Sequence, residues 1–111
     1  MTDTNINFQV FCVRPGWAIT NFDPKYTDVR YRIYVDNDLI TERTWIWNND
    51  TALHENIYVQ FDNNINHKLK LQPVVYREDQ AVFKIHQPRS ENARFTIVET
   101  ISPVEMIFRT A

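Results

Sequence analysis

Apolar and polar residues alternate with a period of two through segment after segment of this 111-residue chain. Ile6, Phe8, Val10 and Cys12 interleave with Asn7, Gln9 and Phe11, and Val29, Tyr31, Ile33 and Val35 interleave with Arg30, Arg32 and Tyr34; residues 82–85 and 95–98 read similarly. Successive side chains of an extended strand point to opposite faces, so this period belongs to half-buried strands and not to helices. Further strands are expected at Leu39–Trp47, Ile57–Phe61, Lys68–Val75 and Val104–Arg109, each bounded by Asn, Asp, Pro or Ser. Eight short strands with turn-punctuated spacing predict an all-β chain, an antiparallel β-sandwich of jelly-roll or immunoglobulin-like topology. A helical turn is expected only at Asp50–Glu55.

The turns of such a fold need backbone positions with positive φ, and the chain has one glycine, Gly16, against eleven asparagines. Those positions then fall to Asn and Asp, which tolerate the left-handed region better than other non-glycine residues. The stretches DND at 36–38, NND at 48–50 and DNN at 62–64 are therefore turns. None continues into the spaced acidic loop with a bidentate glutamate that calcium ligation requires.

The hairpin across DND can be registered from its charges. A three-residue loop of Asp36, Asn37 and Asp38 sets Val35 opposite Leu39, Ile33 opposite Thr41 and Arg32 opposite Glu42. A two-residue loop of Asn37 and Asp38 sets Arg32 against Arg43 and places Glu42 beside Ile33, which cross-strand pairing disfavours. In the three-residue register Val29, Tyr31, Ile33, Val35, Leu39, Trp45 and Trp47 share one face. Arg43 then sits on that apolar face between Thr41 and Trp45, where it needs either the rim of the core or a buried acid.

A single domain spanning residues 1–111 is expected, with residues 1–5 as a flexible arm; a chain of this length buries about two-thirds of its unfolded surface. Twelve basic residues against fourteen acidic ones give a net charge of −2, which supplies no long-range field for nucleic acid or an anionic membrane. No apolar run approaches the roughly 20 residues of a membrane span, and MTDTNINFQV lacks the basic and apolar regions of a secretory signal. The lone cysteine, Cys12, shares the apolar face of Ile6, Phe8 and Val10 and reads as a core residue made in a reducing cytoplasm.

No residue constellation predicts catalysis, a metal or a cofactor. His54, His67 and His86 are scattered without metal-ligand spacing. Glu42 is engaged by Arg32, while Glu55, Glu78, Asp79 and Glu105 fall in loops or near strand ends, so no acid pair for glycoside cleavage stands out. One glycine allows no phosphate-binding loop, and there is no nucleophile elbow.

Two surface patches remain as candidate interfaces. The first joins Arg43, Trp45, Trp47, Asn48 and Asn49: the indoles form either core wall, a protein interface, or a stacking platform for glycans with polar neighbours for the hydroxyls. The second, on the opposite face of the hairpin, joins Arg30, Tyr34, Ile40 and Ile46, a mixture that suits a surface partly covered by another chain.

The segment VRYRIYVDNDLITERTWIW, followed by ENIYVQF and HKLKLQPV, resembles small virion-type proteins of tailed bacteriophages, especially those of marine cyanobacteria. The likeness covers roughly residues 29 to 74 and is carried by the R-Y-R-I-Y-V-D-N-D hairpin and its T-E-R-T-W continuation. It implies a structural role in the virion, as a capsid decoration protein or a small tail or neck component, with capsid or other virion proteins as partners. The open edges of a sandwich, ready for strand addition, suit self-association, for example as a trimer. The resemblance assigns no functional residues.

Overall fold

A computed structural model of the chain describes residues 3–13, 28–46, 52–74 and 82–111. These residues form eight strands: β1 (Asp3–Val13), β2 (Asp28–Val35), β3 (Asp38–Ile46), β4 (Ala52–Gln60), β5 (His67–Val74), β6 (Val82–Arg89), β7 (Phe95–Ser102) and β8 (Glu105–Thr110). All eight expected strands are present. The helical turn expected at Asp50–Glu55 is not found at residues 52–55, which already belong to β4. The cause is register: Phe11 through Asp3 of β1 offer ladder partners to the whole of Ala52–Gln60, so β4 extends five residues ahead of Ile57. The start of the chain is likewise strand. Asp3 pairs with Gln60, and Thr4 and Asn5 are buried, so the arm expected over residues 1–5 is from Asp3 onward the first part of β1.

The strands form two antiparallel sheets, β4-β1-β6 and β3-β2-β5-β8-β7, the arrangement of a β-sandwich. Inward-facing residues of both make one core: Ile6, Phe8, Val10 and Cys12 from β1, Tyr31, Ile33 and Val35 from β2, Leu69 and Leu71 from β5, Phe83 and Ile85 from β6, and Met106 and Phe108 from β8. Burying each large apolar side chain is worth about 1.5–3 kcal/mol. Tyr31 and Phe83 meet edge to face across the sandwich at 6.3 Å, and Phe108 stacks on Phe95 at 4.9 Å. At one end the β7–β8 turn ties the sheets together, because the Pro103 carbonyl accepts from Ile85 N at 2.9 Å and the Val104 carbonyl from Leu71 N at 2.8 Å.

The β2–β3 hairpin has the expected register through most of its length: Val29 faces Trp45, Arg32 faces Glu42 and Ile33 faces Thr41. The Arg32–Glu42 ion pair forms at 3.5 Å on an exposed face. The loop differs from expectation. Val35 faces Asp38 and Tyr34 faces Leu39, so the turn has two central residues, Asp36 and Asn37, with φ of 53° and 70°, and a bulge between Ile33 and Tyr34 absorbs the slip. Two successive positive φ values define a type I′ turn, whose twist matches that of the strands, and a β-bulge lets charge pairing and turn geometry both be satisfied. The bulge reverses the side-chain facing beyond Thr41: Leu39, expected in the core, is 54% exposed, while Ile40 packs against the core.

The described residues with positive φ are Asp36, Asn37, Asn64 and Gln87. Asp36, Asn37 and Asn64 lie in the two described Asn/Asp stretches, as the shortage of glycine requires; the third stretch, 48–50, falls outside the described residues. Asparagine also closes the end of the fold where these turns lie, remote from the β7–β8 turn. Asn5 N donates to Asn92 Oδ1 at 2.9 Å, Glu91 N donates to Asn5 Oδ1 at 3.2 Å, and Asn92 Nδ2 donates to the Asp3 carbonyl at 2.9 Å, while Asn5 Nδ2 bonds Asn56 Oδ1.

Candidate functional site

In β4 the alternation runs Leu53, Glu55, Ile57, Val59, which places a carboxylate in a row of apolar residues. Glu55 faces Phe8 in the ladder and is 1% exposed. Its partners come from the other sheet. Tyr31 of β2 and Arg43 of β3 are direct cross-strand neighbours, so they project side by side toward β4. The Tyr31 hydroxyl donates to Glu55 Oε2. Arg43 Nε donates to the same oxygen at 3.0 Å, and Arg43 Nη2 donates to Oε1 at 2.9 Å.

Arg43, 46% exposed, meets both alternatives expected of it, a place at the rim and a buried acid. Burial, with the hydrogen bond to Glu55, pushes the Tyr31 hydroxyl well above the ordinary tyrosine range, so it stays a neutral donor. The Arg43 guanidinium is likewise raised, chiefly by its hydrogen bond to Glu55. Both carboxylate oxygens are engaged, so the cluster is a fully bonded bridge that locks the β3 and β4 edges of the two sheets together. Glu55 was expected in a loop or near a strand end; it lies inside β4. The L-H-E-N-I-Y-V alternation, extended back through His54, is the signal that marks it.

The remaining residues of the first predicted patch are not brought together with Arg43 by any described contact. Trp45 contributes its backbone opposite Val29, and Trp47, Asn48 and Asn49 lie outside the described residues. Of the second patch, Arg30 is exposed and its Nε donates to Thr44 Oγ1 at 3.3 Å, Tyr34 is half-buried, and Ile46 faces Asp28 in the ladder. Ile40 leaves that surface for the core because of the hairpin bulge. Arg30, Arg32 and Tyr34 alternate with the core residues of β2, and with Lys68 and Glu105, paired at 3.5 Å, they make the outer face of the larger sheet a solvated surface of charges.

A second feature escaped the period-two reading. Among the described strands β7 pairs with β8 alone, at the margin of the five-stranded sheet. Ile97 lies opposite Phe108 and so on the core side, but a three-stranded sheet does not extend far enough to cover a five-stranded one, and Ile97 is 44% exposed. Bulges fall between Ile97 and Glu99 and between Thr100 and Ser102, which leaves Val98 and Ile101 as the extra residues, 48% and 49% exposed. β7 thus presents three large aliphatic side chains to its surroundings.

His67, at the start of β5, is buried and has both ring nitrogens bonded: Nδ1 to Asp36 Oδ2 at 2.5 Å and Nε2 to the Asp62 carbonyl at 2.6 Å. Asp36 Oδ1 also accepts from Lys68 N at 2.9 Å, so this cluster fastens the β2–β3 turn to β5. His54 is exposed on β4, and His86 stacks on Phe11 at 4.7 Å. Among the described residues no group of three or more His, Cys, Asp or Glu is placed to hold a metal ion, and no helix is long and apolar enough to cross a membrane.

No family model matches the chain, and neither a curated protein nor a solved structure does.

Proposed function

We propose that this protein is a non-enzymatic structural protein of a phage particle, a capsid decoration protein or small tail or neck component, that works through protein–protein interfaces and associates with copies of itself. The observation that carries the reading is β7, where Ile97, Val98 and Ile101 stand exposed along an edge of the sandwich. A strand edge is ordinarily protected by charge, by proline or by bulges that turn it away. Here the bulges are present, but the residues they turn outward are aliphatic. That combination disfavours strand addition and favours side-chain packing against another surface. The resemblance of the 29–74 segment to virion-type proteins of tailed phages supplies the setting.

Sedimentation equilibrium of the purified chain tests self-association, with a concentration-dependent oligomer expected and a Val98→Lys, Ile101→Lys variant expected to be monomeric. A wild-type chain that stays monomeric up to about millimolar concentration overturns that part. Mass spectrometry of purified particles tests the setting, and absence of the protein from the mature virion overturns it.

A further inference from the structure

A pocket of about 190 Å³ opens on the three-stranded sheet, lined by Asn7, Phe8 and Gln9 of β1, His54 of β4, and Gln87 and Arg89 of β6. It arises from a break in the β1–β6 ladder. Asn7 faces Arg89 and Gln9 faces His86, so one β1 residue, Phe8, is set against two β6 residues, Gln87 and Pro88. Gln87 adopts φ of 50°, and it is the one described residue in the left-handed region that is neither Asn nor Asp. Such a conformation costs about 1–2 kcal/mol for an ordinary side chain and persists where surrounding structure imposes it, often beside ligand sites. Pro88 has no N–H to return to the ladder.

The pocket is lined by a buried amide that no described residue bonds. Asn7 is 7% exposed, and its carboxamide has no hydrogen-bond partner among the described residues, whereas its neighbours Asn5 and Asn56 are bonded to each other. A buried amide left without a partner costs about 1–3 kcal/mol. In native proteins such a group calls for a specific explanation.

The donor set indicates the chemistry of a partner. The lining offers three carboxamides (Asn7, Gln9, Gln87), one imidazole (His54) and one guanidinium (Arg89), and no carboxylate. Lys84, opposite Phe11 in the same ladder, adds a second exposed cation to β6. The acid nearest in sequence to His54 is Glu55, which faces the core and is held by Arg43. A planar guanidinium fork at the rim with amide donors below it matches a carboxylate or a phosphate, each of which presents several acceptor oxygens. The volume is below the roughly 300–1,000 Å³ of sites that engulf drug-sized ligands, so it fits one oxyanionic group with few attached atoms.

We propose that the pocket between Asn7 and Arg89 is a binding site for a small oxyanion, the carboxylate or phosphate group of a solute. Arg89 takes the charge at the rim, and Asn7 and Gln9 donate from the β1 side. This site is on the smaller sheet, has no β7 residue in its lining, and stands or falls independently of the assembly reading.

The test is a ¹H–¹⁵N NMR titration of the full chain with sodium acetate and, separately, with inorganic phosphate, each against sodium chloride at matched ionic strength. Saturable shifts of the Asn7 side-chain amide and of the Gln9 and Gln87 backbone amides are expected with at least one of the two, and the one that saturates identifies the group. Arg89→Gln, a substitution at an exposed position, is expected to weaken that binding by about tenfold or more. Shifts that match the chloride control overturn the proposal, as does saturable binding that Arg89→Gln leaves unchanged.

Discussion

Tyr31 and Glu55, which belong to opposite sheets, are joined by a hydrogen bond from the phenol to a carboxylate that Arg43 also grips. Removing one member of such a cluster leaves the others buried with unmet hydrogen bonds. Arg43 is 46% exposed, so solvent reduces the loss of about 3–5 kcal/mol typical of a fully buried pair. Arg43→Ala is expected to cost about 2 kcal/mol and Tyr31→Phe about as much. The two losses should be non-additive by about 0.5 kcal/mol or more in a double-mutant cycle read by urea unfolding. A denaturation midpoint unmoved by Arg43→Ala would show that the bridge contributes nothing.

The same bond gives stability an alkaline limit. The Tyr31 hydroxyl ionises at 10.0 in its ordinary state and is raised in the folded chain by burial and by Glu55. A raised value means that the folded state holds its proton when the unfolded state has lost it. The contribution is therefore complete below pH 10 and declines as pH rises above it, by up to about 1.4 kcal/mol per pH unit. Unfolding free energies measured between pH 9 and 11.5 should fall more steeply for wild type than for Tyr31→Phe; equal slopes would contradict the placement of this phenol.

The β2–β3 turn supports a comparison between adjacent residues. Asn37 supplies a left-handed φ, and Asn37→Ala should cost about 1 kcal/mol. Asp36 supplies the same backbone geometry and also accepts from Lys68 N and bonds His67 Nδ1. Asp36→Ala should therefore cost about 2–3 kcal/mol. Thermal or urea unfolding of the two variants orders them, and equal losses would mean that the His67 cluster adds nothing.

Gln87 carries backbone strain that glycine would relieve. Gln87→Gly should stabilise the chain by about 0.5 kcal/mol, the relief of the left-handed region slightly exceeding the entropy cost of the glycine. A loss of stability would show that the Gln87 side chain contributes more than its conformation costs.

The strands were legible because a sandwich writes its burial into a two-residue period, and the need of Arg43 for either the rim of the core or a buried acid followed from a charge in an apolar row. The identity of the acid was not legible from that row. Glu55 looks like a loop residue while β4 is taken to begin at Ile57, and only the partner strand β1 shows that the ladder reaches back to Ala52. The hairpin shows the same limit. Arg32 and Glu42 fixed the register of the strand bodies, but a one-residue bulge let the turn follow its own geometry and exchanged Leu39 for Ile40 in the core. Bulges leave no trace in a pattern that counts by twos, and those in β6 and β7 hid the pocket at Asn7 and the exposed aliphatics of β7 in the same way. Strand order depends on pairings between distant segments, which no local pattern encodes.

The central place of β1 in its sheet also constrains the route to the folded state. Among the described residues the partners of Asp3–Val13 are distant in sequence, Ala52–Gln60 and Val82–Arg89. The β5–β8 ladder likewise waits on Glu105–Thr110. Among the described strands only the β2–β3 and β7–β8 hairpins can form locally, so most of the described ladder closes over long loops, and topologies of this kind fold in milliseconds to seconds. Until Ala52–Gln60 and Val82–Arg89 are in place, the β1 row of Ile6, Phe8 and Val10 lacks its strand partners. Molecules made at high concentration must bury that row within themselves before they meet one another.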